Sequence, residues 1–381
     1  MKKSAIILIL LSAAACAHSA KKFTVDDLKQ TLVALHDASK SDQDIATRLK
    51  QIDLGEQLTA AARESLQQYA PGPLSSQQLE ILEGRTAMLV PPRTELPDSA
   101  PPDIATQKAI LAKTVDFVAK VYMQNPHLVA SRYITRYQDG VDNIRTNSGV
   151  QNNMPNVGRS WEPPDMTMRL VGSHADTVEF EKGVELAPPV VQKAPWGQNG
   201  QISEGGPGPI IGVILQEAAA AGTLNWRRWQ TIHGKNVAVF SFAIPKKKSR
   251  YEVHYCCFPV TGDTGRMGYE GTGANLQYNT DWKDFRVTAG YHGEIFVNPD
   301  TGVIVRLITQ AELKPTDFVH QEDIRIDYGQ VVVDGNPVIL PVRSITLNEL
   351  VPNGDNYAAR YSIRHTLFLT SYLKYEATSA K

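Results

Sequence analysis

From about residue 128 onward, apolar and β-branched residues alternate with polar ones, and Gly, Asn, Asp and Pro break the pattern into short segments. Side chains on a strand point to opposite faces with period two, so this alternation is the mark of half-buried strands. Thr167 to Glu181, Asn236 to Ile244, Arg250 to Phe258, Phe285 to Val297, Val303 to Glu312, Asp323 to Val333, Pro337 to Leu347 and Arg360 to Tyr375 all read as strands. Two connections are tight. Asn298-Pro299-Asp300-Thr301-Gly302 joins one pair and Asp334-Gly335 another. Asp-Gly supplies the positive φ a two-residue hairpin needs. Short connections force antiparallel neighbours, because parallel strands need a long crossover. The segment Pro209 to Ala221, closed by Gly222, reads as one helix inserted among the strands.

Residues 24 to 124 carry a different period. Leu28, Leu32 and Leu35 recur at helical spacing, as do Ile45, Leu49 and Ile52, and Ile104, Leu111, Val115, Val118 and Tyr122 form a stripe on a longer helix. Thr24-x-x-Asp27, Ser41-x-x-Asp44 and Ser75-x-x-Gln78 read as capping boxes. Pro91-Pro92, Pro97 and Pro101-Pro102 make residues 90 to 103 an extended connector. The expected organisation is a leader over 1–20, a helical region over 21–125 and an antiparallel β domain over 126–381. The fold class is α+β: a helical N-terminal region followed by a curved, half-barrel-like antiparallel sheet with an inserted helix. A sandwich is the alternative, with a second sheet rather than a helix covering the apolar face.

The first twenty residues read as a secretory signal. Lys2-Lys3 is a basic n-region, Ala5 to Leu11 an apolar h-region, and His18-Ser19-Ala20 ends in small residues suited to cleavage. Ala13-Ala14-Ala15-Cys16 is a poor lipobox, so lipidation of Cys16 is the alternative to soluble export. A periplasmic or extracellular protein is expected. Loss of Lys2 and Lys3 shifts the formal net charge from -1 to -3. That balance offers no electrostatic footprint for nucleic acid, and no second apolar run predicts an integral membrane segment. With Cys16 in the leader, Cys256 and Cys257 remain, an adjacent pair read as two thiols on opposite faces of a strand.

No GxSxG, HExxH, CxxC or GxxxxGK[ST] pattern occurs. Gly206 to Gly212 has the wrong spacing for a dinucleotide loop. Glu252 with His254 and His292 with Glu294 each share a strand face and would form a metal site only if their strands adjoined. Cys257, His254 and Asp281 can be named as a nucleophilic trio, an arrangement any chain of this size yields. Trp226 and Trp229, flanking Arg227-Arg228, read either as a binding rim or as a staple between helix and sheet. Lys246-Lys247-Lys248 reads as a solvated hairpin tip.

Two stretches carry a resemblance. Asp44 to Leu49 through Leu58, then Pro71-Gly72-Pro73 and the Pro-rich connector, resemble the N-terminal part of uncharacterised exported proteins of soil bacteria. Trp229, Ala238 to Phe242, Tyr291 to Ile295, Asp300 to Arg306 and Asp327 to Val331 leading to Leu340-Pro341-Val342 resemble their C-terminal half. That family implies no catalytic residue. In strand pattern alone, the second half is similar to the lipoprotein-carrier (LolA-like) half-barrels, in which a curved sheet wraps a helix and can hold acyl chains. The carriers are much shorter and lack the helical region.

These features lead to a non-enzymatic exported binding protein. Its ligand would be apolar or lipidated, and its sheet lining would be Phe240, Phe242, Ile295, Val305 and Leu307, with Trp226 and Trp229 at the rim. No cofactor or metal is expected. The partner is an unidentified apolar ligand or an envelope protein. A structural or interaction module with a filled core is the second reading, and an envelope hydrolase the third.

Overall fold

The structure, a computed structural model, describes residues 22–120, 122–139, 167–182, 184–186, 200–201, 211–221, 223–260, 281–350 and 364–378. The leader, Gly206 to Pro209 and most of the Leu186 to Pro209 segment lie outside them. Six α-helices precede or interrupt the strands: α1 (Val25–Asp37), α2 (Asp42–Lys50), α3 (Ala60–Leu66), α4 (Pro73–Arg85), α5 (Ile104–Lys120) and α6 (Ile211–Ala221). The strands are β1 (Leu128–Gln138), β2 (Arg169–Glu181), β3 (Val184–Leu186), β4 (Gly200–Gln201), β5 (Asn225–Ile232), β6 (Lys235–Ile244) and β7 (Glu252–Val260). They continue with β8 (Asp281–Thr288), β9 (Gly290–Val297), β10 (Ile304–Glu312), β11 (Val319–Val333), β12 (Asn336–Leu350) and β13 (Arg364–Ala377). Ten strands form one curved antiparallel sheet in the order β3-β2-β1-β13-β12-β11-β10-β9-β6-β5, not closed into a barrel. A small sheet, β4-β7-β8, stands apart. The chain is therefore α+β, with helices first and strands after.

The hairpins form where the turn chemistry demands. Asn298 to Gly302 joins β9 to β10, and Asn298 Oδ1 accepts from the Asp300 and Thr301 amides. Asp334 and Gly335 both have positive φ, and Val333 pairs with Asn336 around them. The expected single strand Phe285 to Val297 is two strands. The chain leaves the small sheet at Ala289, whose amide bonds the Tyr251 carbonyl, and enters the large one. Lys246 to Lys248 likewise links β6 to β7 across the two sheets and is not a hairpin tip, although it is exposed.

α1 to α4 close on a core of their own: Leu28, Leu32, Ile45, Leu49, Ile52, Leu54, Leu58, Leu66, Leu79 and Leu82. Thr24 makes the expected capping box with Asp27, and Ser41 caps α2 through the Asp44 amide. Ser75 does not cap α4. Pro73 starts that helix two residues earlier, and the Asp42 carboxylate accepts from the Leu74 and Ser75 amides at 2.9 Å each. Gly72 makes room for it, since a Cβ there would meet the Asp42 carboxyl carbon at 2.1 Å. The connector then leads to α5, which belongs to the sheet's core rather than to the helical core. Its buried positions are Ile110, Thr114, Phe117 and Val118. The predicted stripe is offset: Ile104 and Val115 are exposed.

Each face of the large sheet is covered. α5, α6, Tyr251, and Val253 and Tyr255 of β7 pack on what we term the inner face. α4 packs on the outer face through Ile81, against Tyr137, Ile345, Leu367 and Leu369. Gly84 lets the helix sit down, because a Cβ would approach Leu367 Cδ2 at 2.6 Å. Glu83, 1% exposed, takes Arg343 of β12 through one oxygen, while Arg63 Nε lies 2.8 Å from the other.

Burial would raise the Asp42 pKa, but hydrogen bonds from Ser75 and Leu74 prevail and hold the carboxyl below its ordinary value. A depressed folded-state pKa gives stability that is present above the unfolded-state value and lost as pH falls through the folded one. Asp42→Ala is expected to cost about 1 kcal/mol near neutral pH, with the difference from the parent closing in acid. Urea melts across the pH range check this. An unchanged midpoint at neutral pH would contradict the cap.

Candidate functional site

Residues directly opposite one another in an antiparallel pair share a face, so the register sorts the inner face into rows. One row runs Phe240, Ile295, Leu307, Ile326, Ser344, Thr370 and Ile134. The next runs Phe242, Gly293, Thr309, Ile324, Thr346, Phe368 and Arg136. A third ends in Glu322, Asn348, Thr366 and Gln138. Between β11 and β12 the face changes character. On the β6 side it is apolar apart from Thr309 and lies under α5 and α6. On the β1 side it is a band of hydroxyls and amides with one guanidinium, interspersed with Ile134 and Phe368, and all of these side chains are buried.

Four of the sequence-predicted lining residues, Phe240, Phe242, Ile295 and Leu307, come together in the apolar half. They pack against the molecule's own helices. Trp226 and Trp229 lie on β5, their rings 4.9 Å apart, with Trp226 edge-on to Phe240. Trp229 Nε1 donates to the Ala100 carbonyl, which ties the Pro-rich connector to the sheet edge. Val305 is on the opposite face, in the cluster with Val239 and Phe296. A bulge between Ile304 and Arg306 turns it there, a break that period-two counting cannot see.

The two carboxylate–histidine pairs do not meet. Glu252 and His254 are on β7 of the small sheet, beside Arg286, whereas His292 and Glu294 are on β9 of the large one. Glu294 is engaged by Arg228, and His292 lies 3.6 Å from Glu312. Among the described residues no group of three His, Cys, Asp or Glu is placed to hold a metal. Asp281 pairs with Val260, six residues along β7 from His254 and so roughly 20 Å away. The side chains of Cys256, Cys257 and Asp281 lie outside the described residues.

Sequence reasoning missed the polar band. Ser344-Ile345-Thr346-Leu347-Asn348 alternates as a half-exposed strand does, but Ile345 faces α4 and the polar residues face inward. The signal was a strand with two buried faces, only one of them apolar. Asn348 Nδ2 donates to Thr366 Oγ1 at 3.3 Å, and Arg136 donates to Gln138 Oε1 at 2.9 Å while lying over the Phe368 ring. Tyr251 donates to Glu322 at 2.6 Å; burial first, then that carboxylate, holds the phenol well above its usual pKa. Next to the band Arg132, wholly buried, meets Asp176 through two bonds and Glu185 through a third. Thr309 Oγ1 and Ser344 Oγ have no hydrogen-bond partner, although each residue is 1% exposed. A sealed, unpaired hydroxyl costs about 1–3 kcal/mol, so such groups usually meet water or a ligand.

The chain matches no known protein family, no curated protein and no solved structure. The inner-face geometry therefore bears the functional reading alone.

Replacing Thr309 by Val keeps the shape and removes the unpaired hydroxyl. In ligand-free protein it is expected to be neutral or stabilising by about 1 kcal/mol, whereas Thr366→Val, which removes a paired one, destabilises by about 1 kcal/mol. Denaturant midpoints of the two variants decide. A larger loss at Thr309 than at Thr366 would show that the Thr309 hydroxyl is already satisfied.

Proposed function

We propose that this chain is an exported, non-enzymatic binding protein that holds its ligand against the inner face of the curved sheet. The observation that supports this best is the buried polar band with the unpartnered Ser344 hydroxyl, set directly beside the apolar half of the face, where Thr309 carries a second unpartnered hydroxyl. A ligand suited to that surface has two parts: a hydrogen-bonding part over Ser344, Thr346 and Thr370, and an apolar part over Ile324 and Ile326, as an acyl chain or lipidated peptide would. Its apolar part competes with α6, which already lies on Phe240, Phe242 and Ile295. Export rests on the basic, apolar and small-residue segments of residues 1–20.

A second reading, a structural or interaction module with a filled core, draws on that same packing of α5 and α6 over the apolar rows. Native mass spectrometry of protein purified from the envelope of its own host separates the two. The binding reading expects a chain lacking residues 1–20 that carries a discrete added mass, released by organic solvent and lost in Ser344→Leu. A bare chain, with no adduct at any purification stage, favours the filled module.

A further inference from the structure

Asp139 and His365 are joined by three bonds where β1 ends and β13 begins. The Asp139 amide donates to the His365 carbonyl at 3.1 Å, and the His365 amide donates to Asp139 Oδ1 at 2.6 Å. The other carboxylate oxygen lies 2.7 Å from His365 Nδ1. Asp139 is 3% exposed, so little water answers its charge. Register carries the row onward. His365 pairs with Glu349 of β12, and Glu349 pairs with Gln321 of β11, beside which a bulge sets His320. His365 Nε2 lies 3.4 Å from one Glu349 oxygen, and His320 Nδ1 lies 3.5 Å from the other. Two carboxylates and two imidazoles thus alternate across the ends of four strands. They run in a line from strand to strand and do not converge as metal ligands do.

The row borders the patch on which α4 sits. Tyr137, Leu367 and Leu347, the neighbouring outward residues of β1, β13 and β12, pack with Ile81 and Ala87. The other charges nearby have their own partners or stand off. Arg85, in the last turn of α4, disfavours the His365 cation from a distance. Glu80 of the same helix accepts from the Tyr137 hydroxyl. Asp323, the next outward residue on β11, accepts from Gln310 and Gln321.

A neutral imidazole carries one N–H. The bond to Asp139 keeps it on Nδ1 in either charge state, so the proton that comes and goes is the one on Nε2, facing Glu349. With that proton, the imidazolium bridges two carboxylates. Without it, a lone pair faces Glu349 and no cation stands between the two anions. Asp139 holds the imidazole above its ordinary pKa against burial and Arg85, and Glu349 adds to that effect. A raised folded-state pKa gives stability that is complete below the unfolded-state value and is lost as pH rises through the folded one.

We propose that Asp139, His365, Glu349 and His320 form a pH-sensitive latch that ties the ends of β1, β13, β12 and β11 together in mild acid and releases them as the medium turns alkaline. The latch acts on the outer face beside α4 and is independent of what the inner face binds.

NMR of the full chain with carbon-13-labelled histidine tests the titration. The His365 signal is identified by its absence in His365→Asn, or in His365→Gln should the first variant not fold. Its midpoint is expected above 6.5 in the parent and lower in both Asp139→Asn and Glu349→Gln. Amide exchange, corrected for the pH dependence of the chemical step, reads the latch itself. Protection of the Asp139 and His365 amides is expected to fall in the parent between about pH 6 and about pH 9. In the uncharged residue-365 variant it is expected to stay level over that range. A parent midpoint at or below 6.5, or one unmoved by Asp139→Asn, overturns the proposal. So does level protection in the parent, or an equal fall in the residue-365 variant, which would assign the change to another group.

Discussion

Glu83 is a carboxylate removed from water in the last turn of α4, and the attachment of the N-terminal helices to the sheet depends on it. A buried carboxylate is tolerable only when paired. Arg343 reaches it from β12 and Arg63 from α3. The next residue, Gly84, brings α4 close enough to β13 for that reach. Ion pair and close approach are therefore one device: without the glycine the helix stands off, and without the helix Arg343 has no partner.

That device covers only the outer face. A sheet of ten strands has a second face, and here α5, α6 and the small sheet take it. They cover β6, β9, β10 and β11 with apolar side chains, while on β12, β13 and β1 the buried polar side chains are interspersed with Phe368 and Ile134. The hydroxyl band follows from register. Side chains of β12 alternate between Ser344, Thr346 and Asn348 inward and Arg343, Ile345 and Leu347 outward, so a slip of one residue would exchange the two faces. The bulges between Asp327 and Tyr328 and between Ile304 and Arg306 pin that register from the neighbouring strands.

What could be read from the residues was local. Asp334-Gly335 and Asn298 to Gly302 declare their turns because their backbone geometry needs those residue types, and Thr24 and Ser41 declare their helix starts for the same reason. What escaped was set by distant partners. Ser75 looks like a cap, but Asp42, 33 positions away, takes its place. β1 hides its strand pattern because Arg132 and Arg136 interrupt it, and each is buried against a partner on another strand, Asp176 and the Phe368 ring. The band was invisible because polar residues on an alternating strand read as solvated. Only the two-sided covering of the sheet shows that they are not. Four of the predicted lining residues do gather on one face, yet the sequence could not tell that the chain's own helices would occupy it.

Hydrogen exchange measured by mass spectrometry tests most directly whether helices and sheet stand together through Glu83. The account expects amides of Gln78 to Arg85 in α4 and Leu367 to Thr370 in β13 to be protected to a similar degree in the parent. Both stretches should lose protection together in Glu83→Ala, while β6 and β9 keep theirs. Rapid exchange of α4 in the parent, or protection of α4 and β13 unchanged by the substitution, would contradict it.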